Sequence, residues 1–185
     1  MLLSQSEKIR KTPYQPDIIV DIAQGGTIPA RILTDLLNPQ QTATIKIKLY
    51  TDIAKPSAYP ILTQPLTVPV NGKKILIVDD ISDSGQTLNL AKQHLTKKGA
   101  AEIKTATLYT KPITQTPPNY AEKTASKWVI FPWEIKETLQ NLLCQKHKKN
   151  DNTISANNVF NQLSDAGVPK QFLTRVIRSL QEPQI

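Results

Sequence analysis

The sequence predicts an α/β protein built on a mostly parallel, twisted sheet flanked by helices and ended by a C-terminal helical hairpin. Three observations predict it. Short apolar runs at 17–23, 74–78 and 102–109 alternate with segments of helical period, the pattern that parallel strands joined by crossover helices require. Glycines stand where strands give way to helices, at Gly25-Gly26 and Gly85, and where a helix ends, at Gly99. Beyond residue 153 the strand signals stop and two amphipathic helical stripes remain.

In chain order, residues 3–12 predict a short helix stopped by Pro13. Asp17 to Ala23 reads as a buried strand, followed by Gly25-Gly26 and a helix over 27–37, with Pro29 in its first turn where the missing N–H costs nothing. Residues 44–50 alternate polar and apolar as a strand does. Residues 51–70 carry four prolines and no clear period, which predicts a long exposed loop closed by a short strand. After a turn at Asn71-Gly72 come a strongly apolar strand over 74–78, a polar turn, a helix over 87–98 and a strand over 102–109. A second Pro-rich connection over 110–127 leads to an expected final strand at 128–131 and a helix over 134–146. The hairpin helices fall at about 155–166 and 169–180, with Gly167 between them. Two domains are expected, residues 1–150 with the sheet and residues 151–185 with the hairpin, which is too small to stand alone.

Composition narrows the function classes. At 39% hydrophobic, the chain can build a real core. Its single cysteine, Cys144, forbids an intramolecular disulfide and fits a reducing compartment, with the thiol buried. No run of about 18 apolar residues occurs, so no membrane span is expected, and Met1 to Arg10 lacks the order of a secretion signal. A cytoplasmic location follows. The formal charge of +8 suits nucleic acid or a polyanionic small substrate. Residues 151–185 are neutral, with Lys170, Arg175 and Arg178 balancing Asp151, Asp165 and Glu182. The hairpin therefore lacks the charge of a DNA-binding helix pair, and nucleic acid is not an expected partner.

The sharpest feature is Ile75 to Leu88, ILIVDDISDSGQTL. An apolar strand delivers two adjacent acids, Asp79 and Asp80, to its carboxyl end, the edge at which open parallel sheets bind ligands. A turn of small residues then enters a helix. The N–H groups of Asp83, Ser84, Gly85, Gln86 and Thr87 form an anion cradle reinforced by the helix dipole. The hydroxyls of Ser84 and Thr87 add donors, and the paired acids suit ribose hydroxyls or the shell of Mg²⁺.

This segment resembles the phosphoribosyl pyrophosphate (PRPP) binding motif of the type I phosphoribosyltransferases, and every position from Ile75 to Thr87 fits. The resemblance implies that family's fold, with a small hood over the base, and transfer of a phosphoribosyl group with Mg²⁺ as cofactor. It gives Asp79 and Asp80 the ribose hydroxyls and the metal, and residues 83–87 the 5′-phosphate. Asp83 falls where the proton of purine N7 must be managed. Gln24, Gly25 and Gly26 resemble the family's pyrophosphate loop, although purine-salvage relatives carry Arg or Lys where Gln24 stands. Lys55, Ser57 and Tyr59 fall in the loop that closes over PRPP in the family.

Lys111, after the 102–109 strand, stands where 6-oxopurine members place a lysine that donates to the purine O6. Trp128 to Glu134 resembles the base-binding segment of the xanthine–guanine and archaeal-type enzymes. There Trp128 would stack on the purine, Val129 would offer backbone groups to the base edge, and Glu134 would approach the 2-substituent. The resemblance covers about residues 8–146. Less chain precedes it than in relatives, so the hood is either reduced or continued upstream.

It implies PRPP and guanine, hypoxanthine or xanthine as substrates, and a homodimer or homotetramer. Two other readings stay open: a PRPP-sensing regulator of the same fold, motivated by Gln24, the tail and the charge, and transfer to another base such as adenine or a pyrimidine.

Overall fold

The computed structural model describes residues 1–50, 59–140, 156–165 and 167–181. The expectations placed on Lys55, Ser57 and Cys144, and the domain boundary expected at residue 150, lie outside them. Two compact units are present, Met1–Trp128 and Val129–Ile185.

The first unit runs α1 (Leu2–Arg10), β1 (Ile18–Ala23), α2 (Thr27–Leu37), β2 (Gln41–Tyr50), β3 (Tyr59–Gln64), β4 (Lys74–Ser82), α3 (Gln86–Lys97), β5 (Glu102–Thr110) and β6 (Tyr120–Thr124). The strands form one sheet in the order β3-β2-β1-β4-β5-β6. All neighbours pair in parallel except β2 and β3, which form an antiparallel edge pair. The chain winds from β1 outward to β2 and β3, then returns to β4 beside β1. That places a topological switch point between β1 and β4, where the connections leave the two strands in opposite directions.

Alternation of side chains explains the two core layers. Ile18, Val20, Ile22, Ile75 and Ile77 pack against Leu88, Ala91 and Leu95 of α3. Ile19, Leu76 and Val78 face the other way, onto Ile9 of α1 and Ala30 and Leu33 of α2. With both faces covered, β1 and β4 read as continuous apolar runs rather than alternating ones.

The structure differs from the sequence reading at the last strand. Residues 128–131 form no strand. The sixth strand is β6, inside the segment read as a Pro-rich connection. Its sequence, Tyr-Ala-Glu-Lys-Thr, has no apolar run, because an edge strand needs only half of one face buried. Distant contacts hold it instead. Gln5 of α1 donates from Nε2 to both Thr107 O (2.8 Å) and Tyr120 O (3.1 Å). Lys8 pairs with Glu122 at 2.8 Å, and Asn119 Oδ1 accepts from Thr105 N at 2.9 Å.

In the second unit the rings of Phe131 and Trp133 stack at 5.0 Å. A helix α4, described over 135–140, precedes the hairpin helices α5 (Ala156–Asp165) and α6 (Lys170–Gln181). Ile135 and Leu139 share a core with Leu163 and Leu173. The hairpin thus buries its stripe against α4.

Candidate active site

The PRPP-like motif begins in the best-buried strand of the sheet. Ile75 to Val78 are at most 1% exposed. The strand does not stop at Val78, as the apolar run suggests. It continues to Ser82, with Asp79 opposite Thr107 and Ile81 opposite Tyr109. Pairing fixes the two acids on opposite faces of the sheet, Asp79 continuing the α3 side and Asp80 the α2 side. They are 8% and 4% exposed. Asp79 Oδ1 accepts the N–H of Asp80 at 3.0 Å, which locks one carboxylate against the backbone.

Gly25 lies directly on Asp80. A methyl carbon built on Gly25 would fall 2.6–2.7 Å from the carboxyl atoms of Asp80. No side chain fits there, so the loop 24–26 needs glycine to lie this close. Gly26 is equally confined, at 2.2 Å from Val78 O by the same construction. The Ala23–Gln24 peptide is cis. Through Gly25 and Gly26 the loop after β1 packs directly on Asp80 and Val78 of β4.

Beneath this loop lies a residue the sequence reading missed. Asp21 is buried on the α2 face of β1. Its Oδ2 accepts from Thr27 Oγ1 at 2.9 Å and its Oδ1 from Thr44 Oγ1 at 2.7 Å. It ties the first turn of α2 to β1 and β2 just below the loop. The available signal was an acid inside an apolar strand, which must find partners when buried.

Residues 83–85 make the turn into α3. Gly85 is the N-cap, with φ 83°, and no side chain caps the helix. Neither α2 nor α3 has an acid in its first turn. Neither helix therefore carries an acid of its own at the positive end of its dipole. Asp83 and Gln86 are exposed, and Ser84 and Thr87 half-buried. Ser84 Oγ accepts weakly from Gln86 N at 3.4 Å.

Lys111 is half-buried after β5; its N–H donates to Ser82 O at 2.9 Å. Its Nζ donates to the carbonyl of Lys127, which brings it to the residue next to Trp128. Trp128 is 78% exposed, a large apolar surface offered to solvent. Val129 and Glu134 belong to the second unit; both are half-buried, and Glu134 N donates to Phe131 O at 3.0 Å. Trp133 is engaged by Phe131. Tyr59 opens β3 opposite Tyr50 and is exposed.

Comparison with known proteins agrees with this geometry. The family model for the phosphoribosyl transferase domain matches residues 4–138. A xanthine-guanine phosphoribosyltransferase of Nitratidesulfovibrio vulgaris is 31% identical over 128 residues, 68% of this chain and 72% of the relative. A hypoxanthine-guanine phosphoribosyltransferase of Schizosaccharomyces pombe is 35% identical over 121 residues, 56% of this chain and 58% of the relative. The crystal structure of a purine phosphoribosyltransferase from Pyrococcus horikoshii superimposes with a TM-score of 0.63 at 37% identity, over 71% of this chain and 85% of that one. An apolar central strand, paired acids at its end, a glycine loop resting on Asp80 and a glycine-led start of α3 thus occur in a chain that belongs to the phosphoribosyltransferase family.

Proposed function

We propose that the chain is a purine-salvage enzyme that transfers the 5-phosphoribosyl group of PRPP to guanine, hypoxanthine or xanthine. The products are the nucleoside 5′-monophosphate and pyrophosphate. The observation that carries this reading is the contact of Gly25 with Asp80, which joins the pyrophosphate loop to the ribose-binding acids at the switch point. Relatives with purine acceptors support the choice of base.

Residues 83–87 would hold the 5′-phosphate through backbone N–H groups and the α3 dipole. Asp79 and Asp80 would receive the ribose hydroxyls, and Gln24, Gly25 and Gly26 the pyrophosphate. As the bond from C1′ to pyrophosphate oxygen breaks, N9 of the purine, protonated on N7, bonds to C1′, and the N7 proton would pass to the Asp83 carboxylate. Lys111 would donate to O6, Trp128 would stack on the base, and Val129 and Glu134 would read its 2-position. Lys55, Ser57 and Tyr59 would belong to the closing loop.

The donor set suits Mg²⁺. Asp79 and Asp80 offer hard oxygens, while among the described residues no group of three or more His, Cys, Asp or Glu could hold a metal. A cation carried by PRPP oxygens and water, and steadied by one or two carboxylates, fits that arrangement. When bound, it neutralises charge on the departing pyrophosphate.

A homodimer or homotetramer in the cytoplasm, with residues 1–150 as the transferase domain and 151–185 as an extension, completes the proposal. Among the described residues no helix is long and apolar enough to cross a membrane.

Lys111→Ala tests the base assignment. Losing a charged donor to O6 should raise the KM for guanine about tenfold or more, with the KM for PRPP little changed. An unchanged guanine KM would contradict the role of Lys111 and favour another acceptor. PRPP binding without turnover, together with salt-dependent binding of nucleic acid, would favour the regulator reading.

A further inference from the structure

One segment of the first unit has contacts that the assignments above leave unused. The strap 111–116, KPITQT, is stitched to the PRPP motif at both of its ends. Lys111 N donates to Ser82 O (2.9 Å), and Gln115 N donates to Ser84 O (3.0 Å). Between them Thr114 N donates to Lys111 O at 3.2 Å. The buried hydroxyl of Ser82 lies 2.9 Å from Thr114 Oγ1. Both hydroxyls also reach Thr116 O, each at 3.4 Å. Two hydroxyl protons and three oxygens thus close a small network: one hydroxyl donates to the other, which donates to the carbonyl.

The strap also rests on Gly85. A methyl carbon there would fall 2.6 Å from Thr116 N and 2.7 Å from Thr114 Oγ1. Gly85 is the uncapped N-cap of α3, so the turn that shapes the anion cradle has no cap of its own. Its far side is held by the strap instead.

We propose that Thr114, acting through Ser82, is a positioning residue that sets the shape of the phosphate cradle from the same strap that carries Lys111. The 5′-phosphate and the base are then sensed by one connected segment, and the two ends of the nucleotide bind cooperatively. The inference rests on the PRPP-binding reading above.

Thr114→Val is a clean probe, because it keeps the shape of the side chain and leaves Ser82 free to donate to Thr116 O. The full chain, Thr114→Val and Thr114→Ser are titrated with PRPP and Mg²⁺ by calorimetry, and their melting temperatures are taken without ligand. Thr114→Val should weaken PRPP about 3- to 10-fold, the value of one hydrogen bond, with the melting temperature lowered by no more than about 5 °C. Thr114→Ser should stay within about twofold of the parent. A double-mutant cycle with Lys111→Ala, read on GMP affinity, should be non-additive by about threefold or more.

Parent-like PRPP binding by Thr114→Val overturns the positioning role. A Thr114→Ser variant as weak as Thr114→Val, or additive GMP losses, overturns it also. If the parent chain itself binds no PRPP, the underlying reading of the site fails and this inference fails with it.

Discussion

At the scale of single residues, the site depends on what is missing from Gly25. Its bare backbone occupies the space beside Asp80 that any side chain would need. Gly25→Ala must therefore push the loop or the carboxylate aside by a sizeable fraction of an ångström. Misplacement on that scale costs about 100-fold in rate, so Gly25→Ala should lower kcat/KM for PRPP by about that factor while the chain stays folded. Steady-state kinetics and a melting curve check this, and a near-parental kcat/KM would contradict the close approach. The glycine pair and the 75–87 motif were legible in the sequence because each spacing is local. Asp21, Ser82 and Thr114 were not, since each acts through a partner brought near only by the sheet or the strap. Ser82 stands inside the motif, but the hydroxyl it meets, that of Thr114, lies 32 residues further along the chain.

At the scale of elements, the strands buried on both faces were readable and the edges were not. β1 and β4 advertise themselves by unbroken apolar runs, whereas β6 is half polar and held by α1 through Gln5 and Lys8. The apolar run at 128–131 misled because Phe131 serves a stacked pair with Trp133 rather than a ladder.

Helix α3 has a further tie, to the segment after β3. His94 Nε2 accepts the N–H of Leu66 at 3.1 Å, a bond that only the neutral imidazole can make. Partial burial, then Lys98 and Lys97, hold the His94 pKa below its ordinary 6.5. As pH falls through that ordinary value, the unfolded chain takes up the proton before the folded one. The stabilisation is thus complete above about 6.5 and is lost as pH falls through the lower folded value. The melting temperature of the parent should drop between pH 7.5 and 5 more steeply than that of His94→Gln, whose amide oxygen can still accept from Leu66. Parallel pH profiles would contradict the assignment.

At the scale of the whole molecule, the sheet order gathers the candidate site at one place. The switch point between β1 and β4 collects two glycine-shaped loops, two acids and the starts of two helices that have no acid in their first turns. A net charge of +8 would favour the approach of the polyanionic substrate proposed above. The C-terminal hairpin was expected to need a surface to cover its apolar stripe, and it finds one in Ile135 and Leu139 of its own unit.

The central claim is that the site at this switch point transfers a phosphoribosyl group to a 6-oxopurine. The measurement that tests it most directly is turnover by the purified chain with Mg²⁺ and PRPP, offered guanine, hypoxanthine, xanthine, adenine and orotate in turn. The account predicts a nucleoside 5′-monophosphate and an equal amount of pyrophosphate from at least one 6-oxopurine, with adenine and orotate far slower. No nucleotide from any of the five bases would contradict it.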